Sequence, residues 1–477
     1  MRSTLLLFVL VLLSAGSLWA VESGWHTIHN DFYWVDQAGE RLYTRSGCLV
    51  KFGELYYWYG GTQRDRHQGQ YCYTSPDLVH WTNQGMVVQF EVEVNRIDVV
   101  QNPKTKQYVM IMKYDGNGAH LGIATADKPE GPFTFQGQTL VDGARMGDSS
   151  VYVDDDGTAY LCYVSWAVGT NAQHGIYRMS DDYLTLDERV YLWDIRSREA
   201  PHILKRNGMY YYGTSRTAGI ESSGTRYYTA KNLAGPWSPP VAMATPGSRN
   251  SWDSQVDMIV PIEGTAGKLY LYFGDRWVQD LPKGRNGDYI FLPMAFEGDK
   301  PVLNYYQDWE INLEAGTWRT FDEERNLARG RTVTASSQSD PNHAANQVVT
   351  ATTYADYVNS YWQSAEGGSQ WIKVDLSKPM EVNRVILKWG TNAAKAFTIQ
   401  TSVNGSDWTD VFGTETGASY TVTDETFETK TARYIRMTAT QQAPVPQGRG
   451  FERRQDRTGP TAQGSGYTLF DFMVLRD

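Results

Sequence analysis

The chain has 477 residues and a net charge of −10, which argues against nucleic acid or anionic lipid as a partner, since both are bound through basic surface. Its 31 Tyr, 16 Trp, 16 Phe and 44 Gly, with few long helical periods, point to β-strands and turns. A chain of this length accommodates two or three domains.

In chain order, residues 1–20 open with Arg2, continue with an apolar run from Leu5 to Leu13 and end on Leu18-Trp19-Ala20. This is the pattern of a secretory signal peptide cut after Ala20, and the run is well short of the about 20 residues that a spanning helix needs. The expected location is secreted or periplasmic, with no membrane insertion. Cys48, Cys72 and Cys162 have no metal-like spacing. In an exported chain Cys48 could pair with Cys72, or all three could be core thiols.

A strand-like aromatic run then returns along the chain. Its anchoring tyrosines are Tyr56, Tyr108, Tyr160, Tyr210 and Tyr270, spaced 52, 52, 50 and 60 residues apart. Turns such as Asp155-Asp156-Gly157 and Arg206-Asn207-Gly208 precede the runs and predict hairpins. Five copies predict five blades of a β-propeller over 21–320, each opening with an inner strand that lines an axial channel.

Counting back from the tyrosines places side chains in that channel. Asp148 stands twelve before Tyr160 and Glu199 eleven before Tyr210, so two acids from adjacent blades meet near one mouth. Cleaving a glycosidic bond by inversion needs a carboxylic acid to protonate the leaving oxygen and a base to activate water. Glu199 is the expected general acid, and Asp148 the neighbour that keeps it protonated by like-charge repulsion. Both could instead be strand-end carboxylates satisfied by turns. Asp154, Asp155 and Asp156 lack the spacing of a calcium loop and read as a solvated hairpin. Trp166, Trp252 and Trp277 could stack on sugar faces or fill the core, and Arg216 and Arg276 could donate to sugar hydroxyls or form ion pairs.

The ordered motifs Tyr57-Trp58-Tyr59-Gly60, Ser75-Pro76-Asp77-Leu78, Asp148 before Asp154-Asp155-Asp156-Gly157, Arg198-Glu199-Ala200-Pro201 and Gly274-Asp275-Arg276-Trp277 resemble glycoside hydrolase family 43. The resemblance implies a five-bladed propeller with Glu199 as acid and Asp148 as pKa modulator, and no cofactor for catalysis. Within the family the sequence is most similar to the exo-β-1,3-galactanase branch, which lacks an acid in the first inner strand, as does Arg45-Ser46-Gly47-Cys48-Leu49 here. That likeness makes Gln255 a water-positioning residue. Asn95 stands where the branch has a glutamate that binds substrate, and Asp98 is a rival base if a bulge turns it inward.

A charged linker over 321–325 leads to a second domain over 326–477. Trp371-Ile372-Lys373-Val374-Asp375-Leu376, Ser402-Val403-Asn404-Gly405-Ser406-Asp407-Trp408, Ala432-Arg433-Tyr434-Ile435-Arg436 and Tyr467-Thr468-Leu469-Phe470-Asp471-Phe472 resemble the discoidin-like carbohydrate-binding module family 32. The resemblance implies a β-sandwich that binds glycan through its loops and in which Asp471 could hold a structural Ca2+. The insertion 441–466, with Arg449, Arg453, Arg454 and Arg457, reads as a flap or a contact to acidic sugars.

The expectation is an all-β, monomeric, exo-acting inverting glycosidase that releases galactose from β-1,3-galactan or arabinogalactan side chains of a plant-type polysaccharide. An α-L-arabinofuranosidase or β-D-galactofuranosidase of the same family is the alternative within enzymes. A propeller that only grips a glycan is the alternative outside them.

Overall fold

The computed structural model describes residues 24–61, 69–115, 118–166, 173–219, 221–276, 288–321, 323–350, 360–445 and 466–477. The leader, Trp277 and the arginines of the insertion fall outside these residues. The described chain is almost wholly β, and among its residues no helix is long and apolar enough to cross a membrane.

Strand β1 (Trp25–His29) is followed by five four-stranded antiparallel sheets. They are β2–β5 (Arg45–Phe52, Leu55–Gly61, Gly69–Ser75, Thr82–Gln89), β6–β9 (Val94–Gln101, Tyr108–Tyr114, His120–Ala126, Thr134–Thr139) and β10–β13 (Arg145–Val153, Ala159–Trp166, Gln173–Met179, Leu186–Trp193). Next come β14–β17 (Arg198–Arg206, Met209–Arg216, Thr225–Ala230, Val241–Ala242) and β18–β21 (Gln255–Glu263, Lys268–Asp275, Tyr289–Glu297, Lys300–Leu303). The first strand of each sheet packs on the first strand of the next, and β18 packs back on β2, which closes a propeller ring. Strands β22 (Asp308–Asn312) and β23 (Thr317–Thr320) join β1 in a further, three-stranded sheet.

The propeller region thus holds six sheets where the sequence predicts five blades. The sixth escaped the repeat because it unites strands nearly 300 residues apart, pairing Trp25 with Asn312 and His29 with Asp308, and carries no tyrosine run. The five runs themselves are the second strands, β3, β7, β11, β15 and β19. Their rings fill the seams between sheets: Tyr57 and Tyr59 meet Val99 and Met110, and Tyr210 and Tyr212 lie with Cys162, Ile176 and Trp193. Each such side chain, fully buried, contributes about 1.5–3 kcal/mol.

All three cysteines are buried free thiols, so the Cys48–Cys72 bridge does not form. Both residues pair with Tyr59 of β3, one from β2 and one from β4. They therefore sit two strand spacings apart, about 9–10 Å, beyond the about 7 Å limit for a disulfide.

After the turn at Glu323–Arg325 come β24 (Thr332–Ala335), β25 (Trp362–Gln363), β26 (Gln370–Trp389), β27 (Ala394–Ser402), β28 (Thr409–Thr414), β29 (Val422–Gln442) and β30 (Thr468–Leu475). The long strands β26 and β29 pair along most of their length and break register near Ser377 and Asn383, so one pair serves both layers of a sandwich. Trp362, Trp389, Phe397 and Phe472 fill its core.

The sixth sheet docks the sandwich on the propeller. Arg384 of β26 is fully buried and pairs with Glu310 of β22 at 2.5 Å, Asp424 of β29 at 2.6 Å and Asp477 at 2.9 Å. Its Nη2 also donates to Thr27 Oγ1 of β1. Beside this knot, Phe32 packs edge-on against Phe470.

Candidate active site

The inner strands share one irregularity near their starts. Register breaks between Arg45 and Cys48 in β2, Asn95 and Asp98 in β6, Met146 and Ser149 in β10, Glu199 and His202 in β14, and Val256 and Met258 in β18. Ser46, Arg96 and Ala200 all adopt φ +49° at these β-bulges, a left-handed conformation that kinks the strand and re-aims its side chains. Five bulges at one level put Arg96, Asp148, Glu199, Gln255 and Asp257 together around the channel.

Glu199 pairs backbone to backbone with Ser215, and its Oε1 accepts from Gln255 Nε2 at 2.7 Å and from the Ala218 N–H at 3.4 Å. Both bonds fall on one oxygen, which leaves Oε2 for a proton. Burial, then the negative charge of Asp148, pushes the Glu199 carboxyl above the usual range, against the opposing pull of Arg96 and Gln255.

Asp148 has the opposite fate in nearly the same place. Burial would raise it, but Arg96 at 3.0 Å and Lys113 at 3.7 Å hold it below the usual carboxylate range. Its Oδ2 also accepts the Ala200 N–H at 3.2 Å, which ties Asp148 to the bulge that carries Glu199. One acid is poised to keep its proton and its neighbour to lose it, the division of labour that glycosidic hydrolysis requires.

Gln255 is fully buried. Its Nε2 donates to Glu199 and, at 3.0 Å, to Ser215 Oγ, while its Oε1 accepts from Arg96 Nη2 at 2.8 Å. Its amide is therefore spent on bracing Glu199 and Arg96.

The other expected residues divide. Trp166 is 42 % exposed at the end of β11, opposite Arg145, and its indole lies over Gly147, where a Cβ would come within 2.4 Å of Nε1. It stands as a free aromatic face beside Asp148. Asn95 is the backbone partner of Lys113, so it lies on the same rim, where its Nδ2 donates to Glu93 at 3.3 Å. Arg216 is exposed opposite Arg198, one residue beyond the Glu199 partner Ser215.

Three expectations are corrected, at Asp98, Arg276 and Trp252, and Asp471 stands outside any metal cluster of the described residues. The bulge that could have turned Asp98 inward presents Arg96 instead; Asp98 is buried with its Oδ2 accepting the Val151 N–H of the next sheet at 2.9 Å. Arg276 is fully buried in an ion pair with Asp31 at 2.6 Å. Trp252 donates Nε1 to the Leu303 carbonyl at 2.8 Å and packs on Tyr305, as a core residue does. Asp471 is buried opposite Lys388 on β26, and among the described residues no group of three His, Cys, Asp or Glu gathers to hold a metal.

Sequence reasoning missed Arg96, Lys113, Asp257 and Ser215. A signal was there for the first: Arg96 stands twelve before Tyr108, the same phase as Asp148 before Tyr160.

The model for glycosyl hydrolases family 43 matches residues 47–255, a span that includes Arg96, Asp148, Glu199 and Gln255. Residues 47–255 form a glycosyl hydrolases family 43 domain. The F5/8 type C domain model matches residues 332–449, within the sandwich. A β-D-galactofuranosidase of Aspergillus niger is 30% identical over 190 residues, covering 35% of this chain and 54% of that protein, so the chain spans about half the length of this relative. Among solved structures, an exo-β-1,3-galactanase from Phanerochaete chrysosporium, solved with β-1,3-galactotriose, is 25% identical with a TM-score of 0.57, covering 94% of this chain and 100% of that one. A proposed exo-β-1,3-galactanase from Bifidobacterium bifidum is 30% identical with a TM-score of 0.52, covering 58% and 96%.

Proposed function

We propose that the chain is an exo-acting, inverting glycoside hydrolase that releases galactose from β-1,3-galactan and arabinogalactan side chains. The observation that carries this reading is the pairing of Glu199, whose carboxyl burial and Asp148 push up, with Asp148, which Arg96 at 3.0 Å holds below the usual range. Glu199 would give the proton on Oε2 to the departing glycosidic oxygen as a water attacks the anomeric carbon from the opposite face and releases its own proton to solvent, and Asp148 would hold the Glu199 proton in place until the bond begins to break. Trp166 would stack on the sugar, with Asn95 and Arg216 at the rim for hydroxyl groups. The galactanases among the similar structures support galactose as the sugar. The Aspergillus relative favours a second reading, release of β-D-galactofuranosyl ends.

The enzyme would work outside the cytoplasm after losing residues 1–20, with the sandwich holding it on the polymer. N-terminal sequencing of exported protein should begin at Val21. Replacing Glu199 by Gln should lower kcat on β-1,3-galactan by on the order of 10²-fold or more while the variant still binds the polymer. A variant as active as the parent would remove Glu199 from the mechanism, and a parent that binds every glycan but cleaves none would make the chain a lectin.

A further inference from the structure

We propose that Arg96, braced by Asp257, is the positioning residue of this site, a fork that sets the orientation of Gln255 and the charge of Asp148 at once. The inference rests on the glycosidase reading above and names groups that reading leaves unused. The Arg96 side chain is 9% exposed and emerges from the β6 bulge. Its Nη1 meets Asp257 Oδ1 at 2.6 Å, and its Nη2 reaches both Gln255 Oε1 at 2.8 Å and Asp148 Oδ2 at 3.0 Å.

Three acceptors from two other inner strands on one planar cation is an arrangement only a guanidinium satisfies. A guanidinium has no acceptor, so it decides which way the Gln255 amide points. Its carbonyl must face Arg96, and its NH2 must face Glu199 and Ser215. The same cation keeps Asp148 ionised. Arg96 thereby directs an N–H at one oxygen of the general acid and a full negative charge at its surroundings, without touching the acid itself.

Asp257 holds the fork. It lies in the β18 bulge, and its second oxygen, Oδ2, is buried without a partner among the described residues. Asp275 of β19 lies close by; its Oδ2 accepts the Ser46 N–H at 2.8 Å, and its Oδ1 is likewise buried and without a partner. Burial pushes both carboxyls up, and the charge of Asp275 pushes Asp257 further, against the opposing pull of Arg96 on each. Glu199, His202 and Asp98 also feel the charge of Arg96; burial drives His202 down to about 4, so it is neutral, and Asp98 up to about 7.

The test compares parent, Arg96→Lys, Arg96→Met and Asp257→Asn on β-1,3-galactan, with kcat, KM and their pH dependence. Arg96→Met removes a cation that lowers both Asp148 and Glu199, so both limbs of the bell should move to higher pH by about one unit. Arg96→Lys keeps the charge and loses the fork, so its bell should stay near that of the parent while kcat falls on the order of tenfold or more with KM little changed. Asp257→Asn should lower kcat in the same way. A merely structural arginine would lower the amplitude of Arg96→Met and leave its bell unmoved, and that result, or a fully active Arg96→Lys, overturns the proposal. Carbon-13 carboxyl titration of Glu199 and Asp148 in parent and Arg96→Met needs no turnover. A parent inactive on every glycan would defeat the glycosidase reading alone, whereas unshifted carboxyls would defeat this one.

Discussion

At the scale of single residues, chemistry here is decided by what surrounds each carboxylate. Glu199 and Asp148 are neighbours, yet burial and repulsion push the first above the usual carboxylate range while two cations hold the second below it. Activity should therefore have an acid limb below the usual carboxylate range, where Asp148 gains a proton, and an alkaline limb above it, where Glu199 loses one. Asp98 makes a separate prediction. Burial raises it to about 7, so its folded value lies above its unfolded one of about 4. The stability it contributes is complete below about pH 4 and is lost as pH rises through about 7. Thermal melts should show Asp98→Asn more stable than the parent at pH 8, with the difference closing towards pH 4; equal differences at both pH values would contradict this assignment.

At the scale of elements, the inner strands work because each is broken at the same level. The tyrosine phase made that level legible for Asp148 and Glu199, since the spacing from hairpin to bulge is nearly constant. It did not tell which residue of a bulge turns inward, because strand parity fails once two residues oppose one. Strand parity argues against Asp98 and only a bulge could turn it inward; the bulge forms, and Arg96, two positions before it, takes the place. A bulge depends on the strand behind it. Gly213 of β15 lies opposite His202, and a Cβ there would come within 2.2 Å of the imidazole. His202 Nδ1 lies 3.2 Å from the Ala200 carbonyl, so the ring backs the Glu199 bulge. Gly213→Ala should cost about 1–3 kcal/mol by overpacking and lower kcat more than it raises KM. Unchanged urea melts and kinetics would show that the strand tolerates the methyl.

At the scale of the whole molecule, the sixth sheet is the adaptor between catalytic ring and sandwich. Both domains were legible from their own periodicities, but the adaptor was not, because its strands come from opposite ends of the propeller and its central contact, Arg384 with Glu310, spans 74 residues. Removing one member of a buried ion-pair cluster leaves the others uncompensated, so Arg384→Met should destabilise the protein by about 3–5 kcal/mol and uncouple the unfolding of the two domains in a calorimetric scan. An unaltered single transition would mean that aromatic packing at Phe32 and Phe470 suffices. The ring and its acid pair carry the central claim, that this chain cleaves β-linked galactose by inversion. Proton NMR during the first minutes of β-1,3-galactan hydrolysis tests it most directly. The account predicts that α-galactose appears first and the β-anomer grows in only by mutarotation; initial release of β-galactose, or no release at all, would contradict it.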